Sequence, residues 1–190
     1  MSSGVPSVLI LGHSFVKGLK RDLRSHFDPR ADWNVKLGGT VSVHLHGVGG
    51  RTVAKLRSSD LHVVERIAPD VLILEIGTND LVDTSPEVGC SEIESLVRLL
   101  LEHCKVRVVC VCHVIPTTMR HLLLGALKFS SIISTLCSLS SQMFFVGYIE
   151  LFLTGGKIFY LPDGVHVNPA GQYHLYRSYR GAIFRPLRLL

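Results

Sequence analysis

Cysteine is scarce in this sequence, and its spacing matches neither a disulfide framework nor a zinc site. An odd number of cysteines without paired knuckles favours reduced core residues in an intracellular, cytoplasmic protein. A metal site at Cys110, Cys112 and His113 is an alternative hypothesis, but their spacing does not favour it. The five cysteines are Cys90, Cys104, Cys110, Cys112 and Cys137.

Signals for secretion and for membrane insertion are also lacking. Met1 to Leu11 contains no basic segment followed by a cleavage site, so no signal peptide is expected. Phe129 to Ile149 has no charged residue and is nearly long enough to span a bilayer, but it carries six serines and a glutamine. We therefore predict a buried helix followed by a strand, and no transmembrane segment.

Acidic residues are fewer than basic ones, which gives a formal charge of +5 and a pI near 9.1. This positive charge is compatible with attraction to an anionic partner, either nucleic acid or a membrane surface. No aromatic-interleaved basic stripe or known reader motif supports nucleic-acid binding. Part of the positive charge is concentrated near the C-terminus, at Arg177, Arg180, Arg185 and Arg188.

Apolar residues are abundant, at 47% of 190 residues, and this length suits one compact domain over 1–190. Short apolar runs alternate with helical patterns, which is typical of an α/β protein with a parallel sheet. The predicted strands are Val8 to Leu11, Val41 to His46, Val71 to Ile76, Val106 to Ile115 and Met143 to Tyr148.

Helical patterns fill the intervals between these runs. Leu19, Leu23 and Phe27 have helical spacing after the first strand, and the residues from Ile93 to Leu101 form another apolar stripe. One helix is predicted over Thr52 to Ile67, ending before Pro69. Asn168 followed by Pro169 is typical of an N-cap and a first helical residue, so the last helix should begin there.

Polar residues follow the first three predicted strands. Ser14 comes directly after the first strand and opens a helix, where free backbone N–H groups favour negative charge. Gly47 to Thr52 follows the second strand and Gly77 to Asp80 the third. Because the carboxyl ends of parallel strands meet at one edge, these loops can supply an oxyanion hole.

A carboxylate and an imidazole lie three residues apart before the last helix, at Asp163 and His166. Serine is a weak nucleophile, so His166 would remove the proton of Ser14 while Asp163 fixes the tautomer of the imidazole. An Asx-type turn with an exposed histidine is the alternative for this segment taken alone.

Together, the four segments resemble the SGNH (GDSL-like) hydrolase family in order and approximate spacing over nearly the whole chain. The resemblance implies a three-layer α/β/α fold, a five-stranded parallel sheet in the order 2-1-3-4-5, and ester hydrolysis without metal or other cofactor. It implies a Ser14, Asp163 and His166 triad, with oxyanion donors from the Ser14 and Gly50 amides and the Asn79 side chain.

The sequence departs from the family pattern at His13, where the family often has Asp before the serine. His13 is a weak candidate for substrate binding, and the substitution could alter the pH profile or the activity. Gly49 is an alternative to Gly50 as oxyanion donor. Asp80 is expected to brace the loop that aims Asn79.

Three further hypotheses stay open. His44 and His46 share a strand face and could begin a metal site, although no third ligand is evident. Arg51 could bind an anionic or carbohydrate substrate. The amino-acid sequence around Ser14, Asn79 and His166 is also similar to that of esterase-like modules of animal retroelements.

The leading prediction is a serine esterase acting on small, short-chain or acetyl esters. Its rival is a weakly active or inactive binding module on the same fold, associated with nucleic acid or membrane, since fold does not determine function. The sequence does not decide the oligomeric state.

Overall fold

A computed structural model describes residues 4–25, 31–115, 120–147, 152 and 156–188. Within them, five parallel strands form one sheet in the order β2-β1-β3-β4-β5. This confirms the predicted α/β class and strand order. The strands are β1 Ser7–Gly12, β2 Ser42–Gly47, β3 Val71–Glu75, β4 Val108–Cys112 and β5 Met143–Val146.

The sheet is buried on both faces because alternate side chains of the central strands enter two separate cores. Val8 and Ile10 of β1 contribute to one core, and Leu9 and Leu11 contribute to the other. A strand whose two faces are both covered reads as a continuous apolar run. This explains why the sequence showed apolar runs rather than alternation.

Helices cover both faces and complete the three layers. The described helices are α1 Ser14–Arg24, α2 Val53–Ser59, α3 Leu61–Ile67, α4 Pro86–Glu102, α5 Arg120–Ser138 and α6 Pro169–Leu187. Leu19 of α1 and Tyr176 of α6 lie in one core. Leu56 of α2, Ile93 of α4 and Phe129 of α5 lie in the other, so α1 and α6 face the remaining helices across the sheet.

The single helix predicted over Thr52 to Ile67 is wrong. Asp60 interrupts it, with φ −115° and ψ −5°, and separates α2 from α3. The carboxylate of Asp60 is occupied by the guanidinium of Arg51. The apolar pattern continues through the break because both helices pack on the same core.

The fourth strand is shorter than predicted. The Val106 N–H bonds to the carbonyl of Leu100, so Val106 belongs to the turn after α4 rather than to the ladder. Ile115 is buried beyond the end of β4. Phe27 and Tyr148 lie outside the described residues.

Two other expectations are confirmed. The uncharged stretch from Phe129 to Gly147 forms the end of α5 and then β5. As a separate finding, no described helix is long and apolar enough to cross a membrane. The last helix begins as predicted, since Asn168 Oδ1 accepts from the Gly171 N–H at 3.0 Å and Pro169 is the first helical residue.

Candidate active site

Ser14 is the first residue of α1, two residues after the end of β1. Its side chain is half-buried, at the carboxyl edge of the sheet. The first amides of a helix have no carbonyl partner within the helix. The Ser14 N–H is therefore available to an oxyanion beside its own hydroxyl.

Close backbone packing fixes the turn before Ser14. A Cβ atom at Gly12 would lie 2.2 Å from the carbonyl oxygen of Glu75, so only glycine fits between β1 and β3. The His13 N–H donates to that same carbonyl at 3.2 Å, and the Val48 N–H donates to the Gly12 carbonyl at 3.0 Å. The turn is thus tied to both neighbouring strands.

Gly49 and Gly50 lie in the loop after β2, and both are exposed. Gly50 has a φ of +69°, a conformation that residues with a Cβ rarely adopt. The next residue, Arg51, is held at both its backbone and its side chain. Its carbonyl accepts from Asn79 Nδ2 at 2.7 Å, and its guanidinium forms two bonds to Asp60 at 2.7 and 3.0 Å.

Asn79 lies in the loop after β3 and reaches this glycine loop. A side-chain amide has two N–H donors, so one remains after the bond to Arg51. The neighbouring Asp80 accepts from the Val53 N–H at 2.9 Å, which is the bracing contact expected for it. Burial raises the pKa of Asp80, and the Val53 N–H opposes this shift.

Asp163 and His166 form a hydrogen-bonded pair on the loop before α6. His166 Nδ1 lies 2.7 Å from Asp163 Oδ2, and each side chain is 49% exposed. Asp163 Oδ1 also accepts from the backbone N–H groups of Val165 and His166, each at 2.9 Å. The Val165 N–H, followed by the bonds from His166, lowers the pKa of Asp163 to about 2.

Backbone contacts fix this loop on both sides. Leu161 N–H donates to the His166 carbonyl at 2.7 Å, and Tyr160 forms an antiparallel bridge with Val167. Gly164 takes a φ of +68° at the tip. Asn168 Nδ2 donates to the Ile158 carbonyl at 2.7 Å while its Oδ1 caps α6. The Asp163 and His166 pair is therefore presented on a closed loop.

His13 lies in the interior beneath Ser14 and not at the open edge. It is 1% exposed, its ring packs edge-on against Phe15, and its Nε2 lies 3.8 Å from Glu75 Oε1. Tyr179 of α6 donates to Glu75 Oε2 at 2.8 Å. Burial, followed by the charge of His166, lowers the pKa of His13 to about 3, so His13 is neutral at pH 7.

The structure brings together two groups of the predicted site residues. Asp163 pairs with His166, and Asn79 joins the glycine loop. Among the described residues no hydrogen bond links Ser14 Oγ to His166, although the charge of His166 acts on the adjacent His13. Such bonds often tighten only when substrate binds.

The two residues suggested for substrate contact have other partners. His13 is enclosed, which removes it from direct contact with a substrate at the open edge. The Arg51 guanidinium is paired with Asp60, and its side chain is 21% exposed. Asp60, Glu75 and Tyr179 were missed by sequence reasoning. The one available signal was a carboxylate, Glu75, ending an otherwise apolar strand.

The alternative metal ligands also have contacts within the protein. His44 Nε2 lies 3.3 Å from Ser42 Oγ, and His46 Nε2 lies 3.5 Å from Asp60 Oδ1. Cys110 and Cys112 are buried and form no disulfide in the described part of the chain, and burial raises the pKa of Cys110 to about 12. Across the described residues no group of three or more His, Cys, Asp or Glu side chains could hold a metal ion.

Comparison with known proteins identifies one family. A model of the GDSL-like lipase/acylhydrolase family matches residues 10–173, a range that includes Ser14, Asn79, Asp163 and His166. A search of curated protein sequences found no significant match. The suggested similarity to retroelement modules stays a prediction.

Solved structures share the fold at low sequence identity. A GDSL-like lipase from Bacteroides thetaiotaomicron is 20% identical with a TM-score of 0.71, over 94% of this chain and 88% of that one. A mutant acetyl esterase with an acetate ion is 13% identical with a TM-score of 0.72, over 96% and 98%. A catalytic mutant of an acetylxylan esterase from Geobacillus stearothermophilus is 17% identical with a TM-score of 0.68, over 94% of each chain.

Proposed function

Because the chain belongs to the GDSL-like lipase/acylhydrolase family, we propose that it is a serine esterase with Ser14 as nucleophile. The observation that carries this proposal is the 2.7 Å pairing of His166 Nδ1 with Asp163 Oδ2. A carboxylate at Nδ1 leaves Nε2 as the proton acceptor, which is the tautomer that a general base requires.

In the proposed reaction, Ser14 Oγ attacks the acyl carbon while His166 Nε2 takes the hydroxyl proton. The tetrahedral oxyanion receives hydrogen bonds from the Ser14 and Gly50 amides and from Asn79 Nδ2. His166 then gives the proton to the leaving alcohol, and an acyl-Ser14 ester remains. A water molecule, deprotonated by His166, hydrolyses that ester and restores Ser14.

We assign the substrate to small, short-chain or acetyl esters. The candidate base is half exposed, and Gly49 and Gly50 leave the oxyanion loop open to solvent. Such an open edge offers little apolar wall for a long acyl chain. Two structural neighbours are described as acetyl and acetylxylan esterases, which supports the same class.

The test compares the protein with Ser14→Ala and with the control Ser58→Ala, which changes an exposed serine of α2. p-Nitrophenyl acetate and butyrate report turnover, and a fluorophosphonate probe with intact mass reports covalent capture. We expect labelling and turnover in the protein and in Ser58→Ala, with acetate preferred, and neither in Ser14→Ala. Folded protein without Ser14-dependent labelling would refute the esterase and favour the binding module.

A further inference from the structure

The loop that carries Gly50 has open space where a side chain at either of its two exposed glycines would project. In the described part of the chain, a Cβ atom at Gly49 or at Gly50 would meet no atom within 4 Å. An oxyanion donor works only if it is held where the negative charge develops. Some other contact must therefore fix this loop, and the structure offers one at Arg51.

Arg51 and Asp60 form an ion pair with two nearly parallel hydrogen bonds, which we call the clasp. Arg51 Nε lies 2.7 Å from Asp60 Oδ2 and Nη2 lies 3.0 Å from Oδ1. Asp60 is only 4% exposed, and His46 Nε2 lies 3.5 Å from its Oδ1. A planar guanidinium on a carboxylate gives a defined orientation, which a point charge does not.

The clasp connects directly to the candidate oxyanion donors. Gly50 precedes Arg51 in the chain, and the Arg51 carbonyl accepts from Asn79 Nδ2 at 2.7 Å. Anchoring Arg51 therefore restrains the Gly50 amide through one peptide unit and orients the Asn79 amide through one hydrogen bond. Asp60 is anchored in turn, because it lies at the junction of α2 and α3.

We propose that Arg51 is a positioning residue, which the buried Asp60 carboxylate holds so that Gly50 and Asn79 point at the oxyanion. This inference rests on the proposed esterase function. It replaces the hypothesis that Arg51 binds an anionic substrate, because two of its five guanidinium N–H donors, and with them its orientation, are committed to the buried carboxylate of Asp60.

The test measures kcat and KM for p-nitrophenyl acetate in Arg51→Gln, Arg51→Lys and Asp60→Asn. The control is Arg98→Gln, which breaks an ion pair of 2.6 Å with Glu94 on the exposed face of α4. A misplaced catalytic donor costs up to about 100-fold in rate. We expect kcat to fall roughly 10- to 100-fold in Arg51→Gln with KM unchanged, less in Arg51→Lys, and not at all in Arg98→Gln.

A double-mutant cycle separates positioning from a general structural role. If Arg51 acts through the oxyanion donors, Arg51→Gln costs much less in an Asn79→Ala background than in the native one. The full loss in both backgrounds would remove Asn79 from the proposal and leave Gly50 as the donor that Arg51 positions, whereas an unchanged kcat in Arg51→Gln would overturn it. So would an effect confined to a raised KM for an anionic ester, mono-p-nitrophenyl succinate, because that result assigns Arg51 to the substrate.

Amide hydrogen exchange provides a readout that does not need activity. We expect faster exchange over residues 48–53 in Asp60→Asn than in the native protein, and unchanged exchange over α5. If this acceleration is seen but the native protein shows no Ser14-dependent turnover, the proposed esterase function is refuted and the anchoring of the loop by Asp60 stands. Unchanged exchange over residues 48–53 would overturn the proposed positioning role of the clasp, whether or not the protein is active.

Discussion

Protonation of the buried His13 should make the fold sensitive to acid. Burial lowers the pKa of His13 from 6.5 to about 3, whereas in the unfolded chain the imidazole has its ordinary pKa. Between these two values the unfolded state binds the extra proton, so stability falls as the pH falls from about 6.5 to about 3. The shift corresponds to about 5 kcal/mol when complete and to about 2 kcal/mol at pH 5.

The perturbation that isolates this effect is His13→Gln, which keeps a polar side chain near Glu75 and removes the titration. Urea unfolding followed by circular dichroism at pH 7, 6 and 5 gives the free energy of unfolding for each protein. We expect the native protein to lose about 2 kcal/mol more than His13→Gln between pH 7 and pH 5. Groups that do not contact residue 13 titrate alike in both proteins and cancel in the difference.

His62→Gln is the matched control, because His62 is exposed on α3. This variant should follow the native protein at every pH. Equal losses in the native protein and in His13→Gln would refute the reasoning, since they would mean that the imidazole accepts its proton in the folded state without cost. That result would assign to Glu75, whose Oε1 lies 3.8 Å from His13 Nε2, the compensation of the imidazolium charge.

Three other predictions concern the site and its frame. Asn79→Ala should lower kcat for p-nitrophenyl acetate by about 10²- to 10³-fold, and an unchanged kcat would remove Asn79 from the oxyanion hole. Asp163→Asn should lower kcat by roughly 10³- to 10⁴-fold by allowing the wrong tautomer, so near-native turnover would contradict the triad. Gly12→Ala should destabilise the fold by about 3 kcal/mol or more in urea unfolding, because its Cβ would lie 2.2 Å from the Glu75 carbonyl oxygen. Gly181→Ala, where a Cβ atom meets open space on α6, should be neutral or slightly stabilising, and similar values for both variants would contradict the close approach at Gly12.

The sheet could be predicted from sequence because its determinants are local. Each apolar run needs only neighbouring residues to be recognised, and the strand order follows from the family resemblance. The start of α6 was also predictable from Asn168 and Pro169, because helix capping depends on a few adjacent residues. Asp163 and His166 are three positions apart, so their pairing was also within reach of sequence reasoning.

The clasp could not be predicted, because the helix α2 lies between its two partners in the chain. Nine positions separate Arg51 from Asp60, and the apolar pattern of the intervening helix continues past Asp60. A pattern of apolar spacing reports which face is buried and does not report a break between two helices on that face. Glu75 and Tyr179 are 104 positions apart, and their contact depends on α6 packing across the sheet.

Buried and exposed charges have different tasks in this site. Asp163 and His166 are half exposed, so water screens any attraction between full charges there, and it is their 2.7 Å hydrogen bond that orients the imidazole. Two backbone N–H groups, each at 2.9 Å, hold the Asp163 carboxylate in turn, and the one from Val165 is the largest cause of its lowered pKa. Arg51 and Asp60 are largely enclosed. Separating them would leave a buried carboxylate without a compensating charge, which is costly, so the ion pair keeps its geometry. Added salt should therefore leave turnover nearly unchanged. Loss of one charge of the clasp, by contrast, should lower it.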